Sequence, residues 1–226
     1  MKDGQVQRFL RDNGLSLAMF AFFALFLLGQ SFTGWHVYND DQQEHGEEAV
    51  SYPAYLHTGH FIEATFENWE SEYLQMGAYV FFTVYLFQRG SSESKDPDTD
   101  EPVDEDPRQA RDRPDVPRPV RQGGLVLRLY ENSLTLALLG LFLLSFVLHA
   151  IGGAREFNQE QLAHGRHALS TLDFLRTSEF WFQSFQNWQS EFLAVFSLVV
   201  LSIVLRQRGS PESKPVAAPH RETGTG

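Results

Sequence analysis

Four histidines lie in the polar region that follows the first apolar stretch, where they could bind a metal ion. They are His36, His45, His57 and His60, with Glu44, Glu47 and Glu48 among them. On a helix, the i, i+3 spacing of His57 and His60 would bring two imidazoles to one ion. When the two similar halves of the chain are aligned, however, only His45 has a histidine counterpart, His164. Zinc sites need three or four ligands, so we predict no metal site.

The chain contains no pattern that is typical of a catalytic or cofactor site. It has no cysteine, which excludes disulfides and thiol chemistry. No Ser-His-Asp order or phosphate-binding glycine loop is present, and the carboxylates are dispersed rather than paired as acid and base. We therefore expect a protein that is not an enzyme and has no cofactor. The formal net charge of −11 would repel nucleic acid, which excludes it as a partner.

One polar phrase occurs twice, each time directly before an apolar stretch. It reads FENWESEYL at residues 66–74 and FQNWQSEFL at residues 185–193. On a helix, residues four apart share a face, which pairs Asn68 with Glu72 and Asn187 with Glu191. The tryptophans of the two phrases, Trp69 and Trp188, fall on an adjacent face and would anchor the helix at the membrane interface.

A carboxylate that faces lipid costs about 2.5–3.5 kcal/mol, so we expect both Asn/Glu pairs to face inward. Two interpretations follow. The pairs could form hydrogen bonds between helices, with Gln30 or His149 as partners, and fix the packing. Alternatively, the two carboxylates could line an outward-facing vestibule for a proton or a cation. The acidic residues on the opposite face, Glu63, Glu67 and Glu70, are replaced in the second half of the chain. We therefore interpret acidity on that face as optional.

Four apolar stretches must position these residues. They are residues 15–28, 73–87, 134–148 and 192–205. A bilayer core about 30 Å thick takes roughly 20 helical residues, so each stretch is a span that its flanks complete. The first one follows Lys2, Arg8 and Arg11 as a signal peptide would, but no cleavage site follows it. The predicted fold is an all-α integral membrane protein with four spans in two hairpins, each with an amphipathic outer helix.

The two hairpins are predicted to be tandem copies, because residues 12–95 align without a gap to residues 131–214. Each copy contains an even number of spans, so both enter the membrane from the same side and form a parallel repeat. Residues 96–121 are rich in Asp, Glu, Pro and Arg and are predicted to be a disordered linker. The tail, residues 215–226, is predicted to be disordered as well.

Polar residues at the inner ends of the spans are predicted to cap the helices. Asn13 and Asn132 precede the odd-numbered spans, where their side-chain oxygens would accept free backbone N–H groups. Arg89 and Arg208 would close the even-numbered helices, where a cation suits the helix C-terminus and the lipid headgroups. Gly34 and Gly153 would form tight turns after the first span of each copy.

The distribution of lysine and arginine predicts the orientation. Three precede the first span, eight lie between the second and third spans and four follow the last, against none in the first outer region and three in the second. The positive-inside rule therefore places both termini and the linker in the cytoplasm.

The phrases NW[EQ]SE[YF]L and QRGS[SP]ESK, at residues 68–74 and 88–95 and again in the second copy, resemble an uncharacterised family of small bacterial membrane proteins known only as a domain of unknown function. The resemblance covers both copies and implies a multi-pass inner-membrane protein, but no activity, ligand or catalytic residue. We expect a structural or interaction protein whose partners are the lipid bilayer and a second copy or other membrane proteins. The alternative is a small proton or cation transporter that uses the Asn/Glu pairs.

Overall fold

The structure is a computed structural model that describes residues 2–224, and all the regular elements in this range are helical, which confirms the predicted class. The helices are α1 (Lys2–Asp12), α2 (Gly14–Glu44), α3 (Tyr52–Tyr55), α4 (Gly59–Tyr85), α5 (Arg118–Gln122), α6 (Gly124–Glu131), α7 (Ser133–Ala163), α8 (Thr171–Phe174) and α9 (Ser178–Leu201). The segment between α4 and α5 contains two short 3-10 helices, Pro102–Asp104 and Pro107–Ala110.

Helices α2 and α7 are long and apolar enough to cross a membrane. Each has 31 residues and is about 46 Å long at 1.5 Å per residue, which exceeds a bilayer core of about 30 Å. Only 6% and 17% of their most apolar windows are buried within the protein. The core helix of a soluble protein would be mostly buried, and α2 and α7 are not.

Both helices continue well past the turns that the sequence predicts at Gly34 and Gly153, and that prediction is wrong. The polar residues after each apolar stretch are compatible with helix, so nothing interrupts the hydrogen bonds there. Two glycines with positive φ, Gly46 (78°) and Gly165 (70°), lie just beyond the ends of α2 and α7 instead. This left-handed conformation, which glycine adopts without a steric cost, is a common way to end a helix.

The predicted caps also differ from the structure. The side-chain amides of Asn13 and Asn132 donate to the carbonyl oxygens of Phe9 and Arg128, each at 2.9 Å, instead of accepting backbone N–H groups. These carbonyls belong to helices α1 and α6, which are not among the predicted elements. Arg89 and Arg208 lie beyond the last residues of α4 and α9, and Arg89 pairs with Asp98 at 2.7 Å.

The polar phrases, by contrast, lie within uninterrupted helices. Residues 66–74 are part of α4 and residues 185–193 are part of α9. The prediction that each phrase forms the preceding turns of the helix that contains the apolar stretch is therefore confirmed.

The chain forms two compact units. The first unit comprises Met1–Ala64 and Ile151–Thr171, and the second comprises Thr65–Ala150 and Leu172–Gly226. Each unit therefore contains residues from both halves of the sequence alignment.

In the first unit, two aligned asparagines make the same contacts. Asn39 accepts from the backbone N–H of Val50 at 2.8 Å and donates to its carbonyl at 3.1 Å. Asn158 does the same with Leu169, at 2.7 and 2.8 Å. Each asparagine thereby fixes the loop that follows its helix, because both backbone groups of one loop residue are satisfied.

In the second unit, the two QRGS-containing loops also match. The backbone N–H of Gln88 donates to the Ser94 hydroxyl and that of Gln207 donates to the Ser213 hydroxyl, both at 2.9 Å. The tail follows the second loop, and Lys214, which is 1% exposed, donates to the carbonyls of Gly90, His220 and Glu222. His220 and Glu222 belong to the tail, whose disorder stays a prediction, and residues 225–226 lie outside the described residues.

Gly34 allows the buried Tyr55 ring to lie against α2. A Cβ atom at position 34 would overlap the Tyr55 hydroxyl oxygen and lie 3.2 Å from its Cζ. We expect Gly34→Ala to destabilise the protein by about 1–2 kcal/mol, because Tyr55 is 1% exposed and has little room to move.

A double-mutant cycle in detergent micelles tests this contact. Tyr55→Phe should cost about 1 kcal/mol by itself, because it removes the 3.1 Å hydrogen bond between the Tyr55 hydroxyl and His60. In the Gly34→Ala background the same change removes the overlapping oxygen and should raise the unfolding free energy. Strictly additive effects would contradict the proposed contact.

Candidate functional site

The second unit contains a buried acid–base pair. The Nδ1 atom of His149, on α7, lies 2.7 Å from the Oε2 atom of Glu70, on α4, and both side chains are 0% exposed. Ionisable side chains are rarely buried to this extent unless they are paired. Each member of the pair therefore depends on the other for its burial.

Helix α9 completes the hydrogen bonds of the pair. Trp188 donates its indole N–H to the other carboxylate oxygen of Glu70 at 3.0 Å. The Nε2 atom of His149 lies 3.3 Å from the Oε1 atom of Gln183, whose amide nitrogen donates to Glu179. Both ring nitrogens of His149 thus face oxygen atoms, an arrangement that suits an imidazolium ion donating two hydrogen bonds. Every polar side-chain atom of the pair has a partner within the chain.

Aromatic rings surround this cluster and separate it from water. Phe180, which is 0% exposed, stacks on the His149 ring with centroids 4.8 Å apart. Phe146 and Phe174 contact Phe180 edge-on, at 5.3 and 5.7 Å. Because electrostatic interactions strengthen in such a low-dielectric setting, so does the penalty for removing one partner.

A second polar contact joins α4 and α9. The side-chain amide of Asn187 donates to the Glu67 carboxylate and also to the backbone carbonyl of Gln183. We refer to Glu67, Glu70, His149, Gln183, Asn187 and Trp188 as the polar cluster. It uses one face of α4 and one face of α9.

The polar cluster includes only part of the predicted set. Asn187 belongs to it, and Trp188 donates to a carboxylate within it. The role of Trp188 as an anchor at the membrane interface stays a prediction. Asn68 and Glu72 are exposed on α4, and Glu191 is half-buried. The expectation that Asn68 and Glu72 turn inward is therefore wrong. Trp69 packs its ring on that of Phe66 at 5.1 Å.

Helical geometry explains why Glu70, and not Glu72, contacts His149. Successive residues are about 100° apart around an α-helix, so positions 70 and 72 lie on nearly opposite faces. His149 is one of the predicted partners, but it contacts Glu70 and not Glu72. The prediction favours Glu72 because this residue is identical in the two halves. The buried pair instead occupies positions that differ between the two halves: Glu70 aligns with Gln189, and His149 aligns with Gln30.

The first unit contains another group of buried polar side chains. The hydroxyl of Tyr38 accepts from Gln159 at 3.1 Å, and that of Tyr55 lies 3.1 Å from the Nδ1 atom of His60. One carboxylate oxygen of Glu156 is buried without a partner in the described part of the chain. A cavity of about 540 Å³ borders this group, and its lining includes Asp41, His45, Glu47, Glu160 and His164.

The pKa values in this group are shifted mainly by burial. Burial raises the pKa of Tyr55 to about 12, and Glu156 contributes in the same direction. Glu156 lies about two helical turns beyond the apolar stretch of α7. Burial raises its pKa to about 7, opposed by a hydrogen bond from the His60 backbone and assisted by Asp41 and Glu160. Burial lowers the pKa of His60.

Glu156 is expected to make the protein less stable as the pH rises. Its folded pKa of about 7 exceeds the ordinary value of 4.5, so its contribution is fully present below pH 4.5 and is lost as the pH rises through 7. His60 acts in the opposite sense, since its lowered pKa favours the neutral ring and its contribution is lost as the pH falls below 6.5. Unfolding in detergent at pH 5 and pH 8 measures the balance.

Glu156→Gln should remove the part of the pH dependence that belongs to this carboxyl group and raise the stability at pH 8. Glu44→Gln is the control, because Glu44 is exposed in the same unit and does not contribute to the pKa of Glu156. If the two variants show the same pH profile, Glu156 is not the titrating group.

Histidines and carboxylates do not assemble into a metal site in the described residues. No group of three or more His, Cys, Asp or Glu side chains between residues 2 and 224 could hold a metal ion. His57 and His60 are thus not joined by further ligands, although His45 and His164 border the same cavity.

These features define a class of protein: an all-helical chain with two helices suited to crossing a membrane and a buried acid–base cluster. A family model described as a domain of unknown function, DUF6766, matches residues 6–225, so the chain belongs to this family. The single match extends over both aligned halves of the sequence. No curated protein and no solved structure matches the chain.

Proposed function

We propose that the chain is a multi-pass protein of the bacterial inner membrane, whose four spans are the apolar parts of α2, α4, α7 and α9 and whose termini are both in the cytoplasm. Two findings support α2 and α7 as spans: their apolar windows and the small fraction of those windows that is buried. The positive-inside distribution of lysine and arginine supports the orientation.

Length and exposed surface support α4 and α9 as the other two spans. With 27 and 24 residues, they are about 40 and 36 Å long, which is sufficient for a core of about 30 Å. Their C-terminal halves expose large apolar side chains, including Phe81, Phe82, Val84, Phe196, Leu198 and Leu201. The matching contacts of Asn39 and Asn158, and of Ser94 and Ser213, support two tandem helical hairpins.

Reporter fusions test this topology. A reporter that is active only outside the cytoplasm should be silent when fused at Arg108 and active when fused at Glu47. Fusions at Arg206 and Arg166 are the matched controls in the second half, and they should give the same two results. Activity at Arg108 would contradict the orientation, and silence at both positions of one half would contradict that hairpin.

For its function, we propose a non-enzymatic role in the membrane that depends on contacts with a second copy or with other membrane proteins. The closed hydrogen bonding of the Glu70–His149 pair carries this proposal. A carboxylate that transfers protons or binds a substrate must exchange partners, whereas both oxygens of Glu70 and both ring nitrogens of His149 are occupied and 0% exposed. Such a network fixes how helices pack.

The second candidate function is transport of a proton or a cation through Glu72 and Glu191. One observation favours it: Glu72 is exposed and Glu191 is only half-buried, which would give both carboxylates access to ions.

A flux assay separates the two functions. The full chain is reconstituted in liposomes that contain a pH-sensitive dye, and a potassium gradient with valinomycin drives proton entry. The structural role predicts flux equal to that of empty liposomes, with and without added sodium. Flux that is lost in Glu72→Gln/Glu191→Gln but kept in Glu63→Gln/Glu179→Gln would overturn it and establish transport.

A further inference from the structure

Six arginines precede α7 in an otherwise acidic protein. They are Arg108, Arg111, Arg113, Arg118, Arg121 and Arg128, and all six side chains are exposed. Only two aspartates lie among them, Asp112 and Asp115, although the chain as a whole carries a formal net charge of −11. The second unit therefore presents a local positive surface at the start of one long apolar helix.

Hydrogen bonds to the backbone hold two of these arginines within the segment. Arg111 donates to the backbone carbonyl of Arg121 at 2.9 Å, and Arg121 donates to that of Pro114. Both bonds involve neutral acceptors, so the charges remain available. Within residues 2–224, Arg108 is the one member of the set in an ion pair, with Asp106 at 4.0 Å.

Helix α6, directly before α7, adds an apolar surface to this charge. Leu125, Val126, Leu129 and Tyr130 are between 45% and 71% exposed. Their spacing places them on one side of the helix, with Arg128 at its flank. A helix with an exposed apolar face and basic residues beside it suits the boundary between headgroups and acyl chains.

The helix at the start of the chain differs from α6 in its ion pairs. Helix α1 also precedes a long apolar helix and exposes Val6, Phe9 and Leu10. Its arginines, Arg8 and Arg11, both pair with Asp12, at 3.4 and 3.1 Å. In the described part of the chain, Arg128 of α6 has no such ion pair.

We infer that residues 108–130 form a docking surface for the anionic phospholipid headgroups of the membrane that α7 crosses, with the apolar face of α6 in the interface. The inference rests on the proposed membrane function, since α6 ends beside the first residue of α7. Clusters of four to eight basic residues next to a span are attracted to anionic lipid, each residue by about 1 kcal/mol or roughly fivefold. An acidic protein or a nucleic acid would use the charge but would leave the apolar face uncovered.

The experiment uses the full chain reconstituted in vesicles. Because the chain contains no cysteine, Val126→Cys carries a single environment-sensitive fluorophore on the exposed face of α6. We expect a blue-shifted, brighter emission in vesicles of three parts phosphatidylcholine to one part phosphatidylglycerol than in phosphatidylcholine alone. High salt should reverse the difference, because it screens exposed charges.

The test variant is Arg113→Gln/Arg118→Gln/Arg128→Gln, which keeps the two arginines that bond to the backbone. It should weaken the attachment of α6 to anionic vesicles about 100-fold, seen as detachment at lower salt. The matched control, Arg155→Gln/Arg166→Gln/Arg176→Gln, removes the same charge elsewhere and should behave as the parent.

Three results would overturn the inference: equal emission in the two lipid mixtures, an equal effect of the control variant, or a larger shift with soluble heparin or poly(U) than with phosphatidylglycerol. Resistance to alkaline carbonate extraction is measured on the same vesicles. If the protein is extracted, the membrane-spanning proposal fails; if it is retained but insensitive to phosphatidylglycerol, the lipid inference alone fails.

Discussion

Replacing His149 with leucine is expected to lower the free energy of unfolding by about 3–5 kcal/mol. The variant leaves Glu70 at a site with no exposed surface and without its basic partner, and an uncompensated buried charge has a penalty of this size. Trp188 would still donate to one carboxylate oxygen, but a neutral N–H cannot balance the charge. Unfolding of the purified protein by titration with sodium dodecyl sulfate measures the effect.

Two further variants show whether the loss belongs to the pair. Glu70→Leu in the His149→Leu background removes the unpaired charge, and most of the lost stability should return. Glu72→Gln, on the same helix but exposed, should change the stability by less than about 0.5 kcal/mol. A loss in His149→Leu that is no larger than that in Glu72→Gln would refute the importance of the pair.

Gly152→Ala is the second change with a large expected effect, about 2–3 kcal/mol of destabilisation. In the first unit, a Cβ atom at position 152 would lie 2.5 Å from the backbone nitrogen of Glu63 and 2.8 Å from the Cγ2 atom of Ile62. A backbone atom cannot rotate away as a side chain can, so α7 and the start of α4 would have to separate. Small residues permit such close approach of helices.

The control for this substitution lies on the same helix. A Cβ atom at Gly140 would meet nothing within 4 Å, so Gly140→Ala should be neutral or stabilising by up to about 1 kcal/mol, because alanine favours helix more than glycine does. Thermal unfolding in micelles compares the two variants. Equal stabilities would show that the helices do not approach as closely at Gly152 as the structure indicates.

The helices could be predicted from the sequence because their signals are local. The apolar stretches at residues 15–28 and 134–148 are long and lack charge, and they lie in the two helices suited to crossing a membrane. The phrases at residues 66–74 and 185–193 contain no turn residue, so the continuity of α4 and α9 could be predicted as well.

The polar cluster could not be predicted in the same way, because it depends on how helices rotate against one another. Hydropathy does not determine which acidic residue of α4 reaches His149, and a rotation of about half a turn exchanges Glu72 for Glu70. The contacts of Gly34 and Gly152 had no sequence signal either. Each is a glycine within a helix, and only the atoms of Tyr55 and Glu63 show why a side chain is absent.

The Glu70–His149 pair also makes the two halves of the chain non-interchangeable. Glu70 aligns with Gln189 and His149 aligns with Gln30, so the acid comes from the first half and the base from the second. A chain built from two first halves would contain two such acids and no base, and one built from two second halves would contain two bases and no acid. Neither chain could form the buried acid–base pair, which requires one half of each kind.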